Sequence, residues 1–144
     1  MTTYLLKTEP SVYAYADLAR DKKTTWDGVT NPAALAHIRA AKKGDQAFIY
    51  HTGDERRIIG LAKIISAPYE DPKKPGLNSA GAPKFAVFDL APVAEAKKPL
   101  SLDEMKADER FEGFDLLRLP RLSVMPVPPK IDALIRRLTG LPSA

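Results

Sequence analysis

The sequence predicts an α+β fold in which a small, partly open antiparallel β-barrel carries short helices at its periphery. The order of the predicted elements, β-α-α-β-β-β-α-β-α, lacks the regular βα alternation that is typical of a parallel sheet. Strands that follow one another without a helix between them favour hairpins instead. The 144 residues, with 13 prolines and only 8 glycines, indicate a single domain over residues 1–144 with short strands and stiff connections.

The first third of the chain predicts one strand and two helices. Residues 3–8 are predicted as a strand, and two adjacent leucines within it indicate cover on both faces. Residues 14–21 follow as a short helix. Asn31 is a favourable N-cap, and Pro32 fits the first position of the helix that follows it. Gly44 is predicted to end this second helix in the left-handed conformation.

The middle of the chain predicts a hairpin and a third strand. Residues 46–51 and 58–67 are β runs joined by a polar turn. Gly60, inside the second run, indicates a bulge or the close approach of another group. Residues 68–83 are rich in proline, glycine, asparagine and serine and are predicted as a loop, and residues 84–93 alternate in the manner of a strand.

The last third of the chain predicts a short helix, a strand and a final helix. Ser101 as N-cap, with Glu104 three residues later, predicts a capping box. Residues 121–127 are predicted as the fourth strand. The final helix is expected to end at Gly140 and to bury one apolar stripe. That stripe consists of Ile131, Leu134, Ile135 and Leu138.

The composition excludes several classes of protein. Without cysteine the chain has neither a disulfide framework nor a thiolate metal site, and its two distant histidines predict no zinc site. No apolar run approaches the ~20 residues that a membrane span needs, and the N-terminal residues lack a signal-peptide pattern. We therefore expect a cytoplasmic protein without membrane contact. The net charge of +4 permits a polyanionic partner without requiring one.

Residues that are typical of catalysis do not form a recognisable constellation. No HExxH, GxSxG or P-loop motif occurs. His37 falls beside the apolar stripe of its helix, which is typical of an exposed helix histidine. The carboxylate pair Asp54-Glu55 lies in a predicted turn, where solvated carboxylates are the usual case. We predict no catalytic residue and no cofactor.

Another group of residues combines flat rings with polar edges, as recognition of a single base requires. A ring stacks on the base for ~1–3 kcal/mol, and polar groups read the edge of the base. Trp26, the only tryptophan, lies among polar residues outside any apolar run, so we expect it to face a concave pocket. A surface position for Lys7 and a purely capping role for Asn31 are the structural alternatives. The predicted ligand-binding residues are Lys7, Thr8, Trp26, Asn31, Tyr50 and His51.

Several stretches of the sequence resemble the EVE-domain family. They are YLLKTEP, WDGVTNPAALAHIRAAKKGDQAFIYHTG, IIGLAKIISAPYEDP, PKFAVFDL and RLSVMPV, in the expected order and separations. The similarity runs from about Thr3 to Leu138. It implies a PUA-like pseudobarrel related to the PUA, ASCH and YTH domains. This expectation agrees with the fold class predicted from the pattern of elements.

The resemblance also implies a function and a site. YTH relatives hold a methylated adenine in an aromatic cage, and the segments that build it match residues 7–9 and Trp26 here. Asn31, Tyr50 and His51 match positions of the EVE motif itself. The chain departs from the family at Thr30, where a basic residue is common, and at Ala41, where many members have methionine. The first departure weakens a phosphate contact and the second alters packing.

We predict a monomeric nucleic-acid-binding module that reads a modified cytosine or adenine in DNA or RNA. A small enzyme acting on modified nucleosides, or a protein-interaction adaptor, is the alternative. ASCH relatives with enzymatic activity are the reason to keep the first of these alternatives. Backbone phosphates are expected to meet basic residues on predicted loops. These are Arg56, Arg57, Lys73, Lys74 and Lys84.

Overall fold

A computed structural model describes residues 1–143, and within them seven strands form one curled sheet. The strands are β1 (Thr3–Thr8), β2 (Thr24–Trp26), β3 (Gln46–His51), β4 (Arg57–Ile64), β5 (Tyr69–Glu70), β6 (Ala86–Ser101) and β7 (Val124–Val127). The helices are α1 (Tyr15–Asp21), α2 (Pro32–Ala40), α3 (Leu102–Lys106), α4 (Asp115–Arg118) and α5 (Pro129–Thr139), with a 3-10 turn at Glu109–Phe111. The strand order is β2-β6-β4-β3-β1-β7, and β5 pairs with β6.

The predicted fold class is confirmed, with one refinement in the direction of the strands. All neighbouring strands are antiparallel except β1 and β3, which are parallel, so the sheet is mixed. A parallel pair needs a long crossover, and the chain between β1 and β3 supplies one through α1, β2 and α2. The crossover brings the ends of β1 and β3 to the same rim of the sheet, where Thr8 lies opposite His51.

Buried residues cover both faces of the sheet at β1. Leu5 and Leu6 point to opposite faces, and both are fully buried, as the paired leucines predicted. Phe48 of β3 and Phe88 of β6 are also fully buried. Helix α2 packs against β6 and β7, and α1 packs against β6. The arrangement leaves the two edge strands, β2 and β7, at the ends of a curled half-barrel.

The helix signals of the sequence correspond to observed caps. Asn31 Oδ1 accepts hydrogen bonds from the N–H groups of Ala33 and Ala34, at 2.9 and 3.1 Å. Ser101 and Glu104 form both bonds of the predicted capping box. Helix α5 ends at Gly140, whose φ of 74° is left-handed.

Gly60 shows both of the features that the sequence left open. The register of β4 against β3 and β6 shifts beside it, as a β-bulge requires. A Cβ atom at this position would lie 2.7 Å from the ring of Tyr15, which is closer than real contacts allow. The Tyr15 hydroxyl donates to Leu61 O at 2.9 Å, so the missing side chain lets α1 settle directly on β4.

Three local predictions differ from the structure. Strands β2 and β5 were not predicted, because each is a short edge strand with few buried positions and therefore carries no periodic signal. Strand β6 continues past residue 93 to Ser101, with register shifts that interrupt its alternation. Gly44 is left-handed with a φ of 100°, but α2 already ends at Ala40. The N–H of Gly44 instead bonds Ile64 O at 2.8 Å and fixes the turn into β3.

Candidate functional site

An open cavity of about 750 Å³ lies where the two edges of the curled sheet approach each other. Its walls include Trp26 at the end of β2 and Ser123 just before β7, which are the two edge strands. Lys7 and Thr8 enter from the end of β1, and Asn31 enters from the start of α2. Four of the six predicted ligand-binding residues therefore line one cavity, whose volume is in the usual range for small-molecule sites.

Trp26 lies at the boundary between this cavity and the core. Its side chain packs into the main hydrophobic cluster and is only 8% exposed, yet it also lines the cavity. Within residues 1–143 its indole nitrogen has no hydrogen-bond partner. Every fully buried side-chain nitrogen or oxygen in these residues does have a partner, so the indole nitrogen is not fully buried. The indole N–H is therefore open to solvent. The sequence analysis expected Trp26 to face a pocket rather than the core, and in the structure it contacts both.

Asn31 offers hydrogen-bond donors to the cavity. Its Oδ1 is used by the two N–H groups at the start of α2. Its amide nitrogen makes no hydrogen bond within the part of the chain that the structure describes, and the residue is exposed. The cap fixes the orientation of the side chain, and the two amide hydrogens remain available to a ligand.

Lys7 and Thr8 are held in place by backbone carbonyls. Lys7 Nζ donates to Pro120 O at 2.9 Å, and its burial lowers the pKa of the amine. The Thr8 hydroxyl donates to Tyr13 O at 2.6 Å, so it offers only its lone pairs to a ligand. Of the four predicted residues, Lys7, Asn31 and Trp26 contribute donors and Thr8 contributes an acceptor.

The structure does not bring Tyr50 and His51 to this cavity. Both are almost fully buried on β3 and do not line it. His51 Nε2 accepts from the Tyr15 N–H at 3.0 Å, and Nδ1 lies 2.9 Å from Glu55 Oε1, so the neutral ring with its hydrogen on Nδ1 satisfies both bonds. The start of α1 thus covers His51. The structure therefore places neither residue on this cavity, and their predicted contact with a ligand stays a prediction.

Tyr50 lies on a different side of β3. Burial raises the pKa of its hydroxyl, and the charged groups that act on it are Arg56 and Asp103. Neither of these residues lines the cavity. The β-strand alternation explains why the sequence could not place this ring, because a rim position says nothing about which face its side chain takes.

Sequence reasoning missed several residues of the cavity, and Arg121 is the most consequential. Arg121 and Ser123 precede β7, which pairs antiparallel with β1. The N–H of Lys7 donates to Ser123 O at 2.9 Å and continues this pairing to the rim. In this register residue 123 lies opposite residue 7, so pairing of the predicted fourth strand with the first would have brought residue 121 to the same rim of the sheet as Lys7. Tyr13 was missed because it lies in the irregular segment before α1.

The predicted backbone-binding residue Arg56 ends the turn between β3 and β4, and Arg57 is the first residue of β4. This turn is at the same rim as the cavity, because the Thr52 N–H donates to Thr8 O at 2.9 Å. Arg57 Nε lies 3.3 Å from Glu55 Oε1, so part of its charge is compensated. Neither arginine lines the cavity itself.

The three predicted lysines lie on the loop between β5 and β6. Lys73 Nζ is 4.0 Å from Asp27 Oδ2, a carboxylate of the cavity wall. Lys74 and Lys84 both place their ammonium groups over the ring of Phe85, at 5.2 and 5.5 Å from its centroid. Of the three, only Lys73 has its ammonium group within 4.0 Å of a cavity carboxylate, and contact of any of the predicted basic residues with phosphate stays a prediction.

A second cavity, of about 860 Å³, lies at the opposite end of β1. It is lined by Thr3, Asp132 and Arg136, but the buried Arg136 is used by the fold itself. Its guanidinium donates to Asp132 Oδ1 at 2.6 Å, Pro142 O at 2.6 Å and Gln46 Oε1 at 2.8 Å. Since its polar groups are engaged with one another, this cavity is a weaker candidate than the one at Trp26.

Two further observations concern the class of site. Among residues 1–143 there is no cluster of three or more histidine and acidic side chains that could hold a metal ion. No helix in the same residues has the length and apolar character to cross a bilayer. The fold and the site together define the class of protein. It is a curled PUA-like half-barrel with a cavity at its rim, and one indole ring and several hydrogen-bond donors line that cavity.

The family follows from comparison with known proteins. The family model of the EVE domain matches residues 2–138, and the chain belongs to this family. Thymocyte nuclear protein 1 of Rattus norvegicus is 32% identical over 152 aligned residues, which cover 86% of this chain and 67% of the relative. The chain spans about two thirds of the length of such curated relatives.

Solved structures extend the similarity to the fold. A protein of Rhodopseudomonas palustris has a TM-score of 0.87 and 32% identity, with 100% of this chain and 97% of that chain covered. Human THYN1 protein, solved in complex with DNA that contains 5-methylcytosine, has a TM-score of 0.86 and 28% identity. That comparison covers 96% of this chain and 98% of the human one.

Proposed function

We propose that this protein is a binding module that reads a modified base in nucleic acid, with 5-methylcytosine in DNA as the first candidate. The observation that carries the proposal is the joint presence of Trp26, Asn31, Lys7 and Thr8 on one cavity. The human relative that was solved with 5-methylcytosine-containing DNA supports it, because its fold matches 96% of this chain. A cytoplasmic location and a monomeric state remain predictions.

The cavity offers a chemical reason for binding a base that is turned out of the helix. The accessible part of the Trp26 ring supplies a surface on which a base can stack. The Asn31 amide can donate to acceptors such as O2 and N3 of cytosine, and the Thr8 oxygen can accept from an amino group. Stacking alone accepts every base, so selectivity has to come from these polar groups.

A methyl group on the base needs an apolar contact. Val12 and Val29 both line the cavity, and Val29 packs partly against the core. Burial of one methyl group contributes about 0.8 kcal/mol, which is about a fourfold preference over the unmodified base. The family departure at Thr30 lies on the same cavity and is uncharged, whereas Ala41 is the buried C-cap residue of α2 and does not line the cavity.

The test is a binding comparison in which only one base changes. Matched single-stranded and duplex DNA oligonucleotides would carry cytosine, 5-methylcytosine, adenine or N6-methyladenine at one position. Fluorescence of the single tryptophan reports binding directly, because Trp26 lines the cavity. We expect one modified base to bind at least severalfold tighter than its parent at constant salt. Equal affinity for all four oligonucleotides would remove base reading from this protein.

Asn31→Ser gives this test a residue-level form. Serine still caps α2, so stability is expected to stay within about 0.5 kcal/mol, but the amide donors are lost. Affinity for the preferred oligonucleotide should fall about five- to tenfold. Asn78→Ser is the matched control, because Asn78 Oδ1 also accepts from two backbone N–H groups but lies outside the cavity. If both variants bind like the wild type, Asn31 is a cap and nothing more.

A further inference from the structure

Arg121 is an exposed arginine on the wall of the cavity that holds Trp26, and it differs in its contacts from two other exposed arginines near it in sequence. Arg110 and Arg118 are exposed too, but each lies 2.7 Å from an aspartate oxygen. Within residues 1–143, the Arg121 guanidinium has no carboxylate within 4.0 Å and makes no hydrogen bond. It nevertheless lines the cavity that holds Trp26. A guanidinium without an internal partner, on the wall of a site, is available to an external anion.

Lys7 brings a second positive charge to the same wall. Its Nζ donates to the carbonyl of Pro120, the residue that precedes Arg121, and meets no carboxylate within 4.0 Å in the part of the chain described. One carbonyl uses one of the three ammonium hydrogens, so two remain. Partial burial makes the ammonium costly to leave unpaired, which favours an anion beside it.

The carboxylates of the cavity lie elsewhere and are engaged. Glu9 is held on the β3 side of β1, where it accepts from the Ser11 N–H and the Thr52 hydroxyl, each at 3.3 Å. Asp27 follows β2 and has Lys73 at 4.0 Å. Arg121 is on the β7 side of β1. The charges of the cavity are therefore separated, and the β7 side is the one that can receive an anion.

We infer that Lys7 and Arg121 bind a backbone phosphate next to the base that stacks on Trp26. The inference rests on the proposed function. It adds that the two charged side chains bind a phosphate group, and it states where that phosphate lies relative to the stacked base. A guanidinium presents a planar pair of N–H donors that matches two phosphate oxygens, and an ammonium adds a compact charge beside it. A phosphate fixed on this wall also fixes the direction in which the nucleotide enters the cavity.

The experiment replaces one phosphate at a time. The preferred modified oligonucleotide is prepared with a neutral methylphosphonate on the 5′ or the 3′ side of the modified nucleotide. For the wild type, one of the two replacements should weaken binding about tenfold. For Arg121→Gln, the unaltered oligonucleotide should bind about tenfold more weakly, and the same methylphosphonate should cause little further loss. The salt dependence of the variant should fall by about 0.7–0.9 in logarithmic slope, as for one lost phosphate contact.

Arg118→Gln is the matched control, because Arg118 is exposed, carries the same charge and lies outside the cavity. It should keep the full effect of the methylphosphonate. If Arg121→Gln also keeps that effect, or if neither replacement affects the wild type, the phosphate site is overturned. Equal binding of modified and unmodified bases would overturn base reading while leaving the phosphate result to stand by itself. A wild type that binds no oligonucleotide would remove both.

Discussion

Replacement of Trp26 by alanine is expected to weaken binding of the preferred modified oligonucleotide by about 5- to 150-fold. Stacking of one base on an aromatic side chain is worth ~1–3 kcal/mol by alanine substitution, which corresponds to that range. Trp26 is the only tryptophan of the chain, and it lines the cavity between the sheet edges together with Tyr13. Because the variant has no tryptophan, binding is measured by fluorescence anisotropy of a labelled oligonucleotide.

The same substitution also tests how far Trp26 belongs to the core. With an exposed fraction of 8% and contacts to the main cluster, its removal should cost about 3–5 kcal/mol of unfolding free energy. The expectation from the sequence, that Trp26 faces a pocket, implies a smaller cost, because the polar neighbours of Trp26 give no sign of its burial. Binding is therefore compared at a temperature where thermal melting shows the variant to be folded.

Trp26→Phe separates the two roles. Phenylalanine keeps a stacking surface and part of the packing but has no N–H, so we expect most of the stability and an intermediate affinity. A folded Trp26→Ala protein that binds as tightly as the wild type would contradict a stacking role for Trp26. It would leave the indole as a core residue whose edge happens to border the cavity.

The elements that sequence reasoning predicted well are those fixed by short-range chemistry. The cap at Asn31 and the capping box at Ser101 depend on residues within three positions of each other. Gly60 was identified because glycine weakens a strand interior and is therefore typical of a bulge or a close approach there. In each case the signal lies within a few residues of the feature, so a short window of sequence contains it.

The cavity could be predicted only in part because its walls come from distant segments. Trp26 and Arg121 lie on the two edges of the curled sheet, and their proximity depends on the strand order. The reasoning from rings and polar edges and the family resemblance both gave Lys7, Thr8, Trp26 and Asn31, but both gave Tyr50 and His51 with equal weight. A sequence motif shows which residues occur together but not what each of them contacts. The hydrogen bonds of His51 to Tyr15 and Glu55 show that His51 supports the fold.

Replacement of Arg136 by leucine is expected to cost about 3–5 kcal/mol of unfolding free energy, the usual result when one partner of a buried ion pair is removed. The side chain is 6% exposed and lies 2.6 Å from Asp132, and its guanidinium stacks over Phe48 at 5.4 Å from the ring centroid. The variant removes the donor to Gln46 Oε1 and to Asp132 Oδ1, whereas Asp132 Oδ2 keeps its bond from the Thr3 hydroxyl. Urea unfolding measures the loss, and thermal melting should show a decrease of roughly 10 °C.

Two comparisons decide whether the loss comes from the unpaired charge. Arg137→Leu removes the exposed neighbouring arginine and should change stability by no more than about 0.5 kcal/mol. The double variant Arg136→Leu with Asp132→Leu should recover part of the loss, because no buried charge is then left alone. Folded Arg136→Leu should bind nucleic acid like the wild type. Arg136 contacts Thr3, and the length of β1 separates Thr3 from Lys7 and Thr8 by about 15 Å. If Arg136→Leu is no less stable than Arg137→Leu, the hydrogen bonds of Arg136 do not hold α5 against β1 and β3.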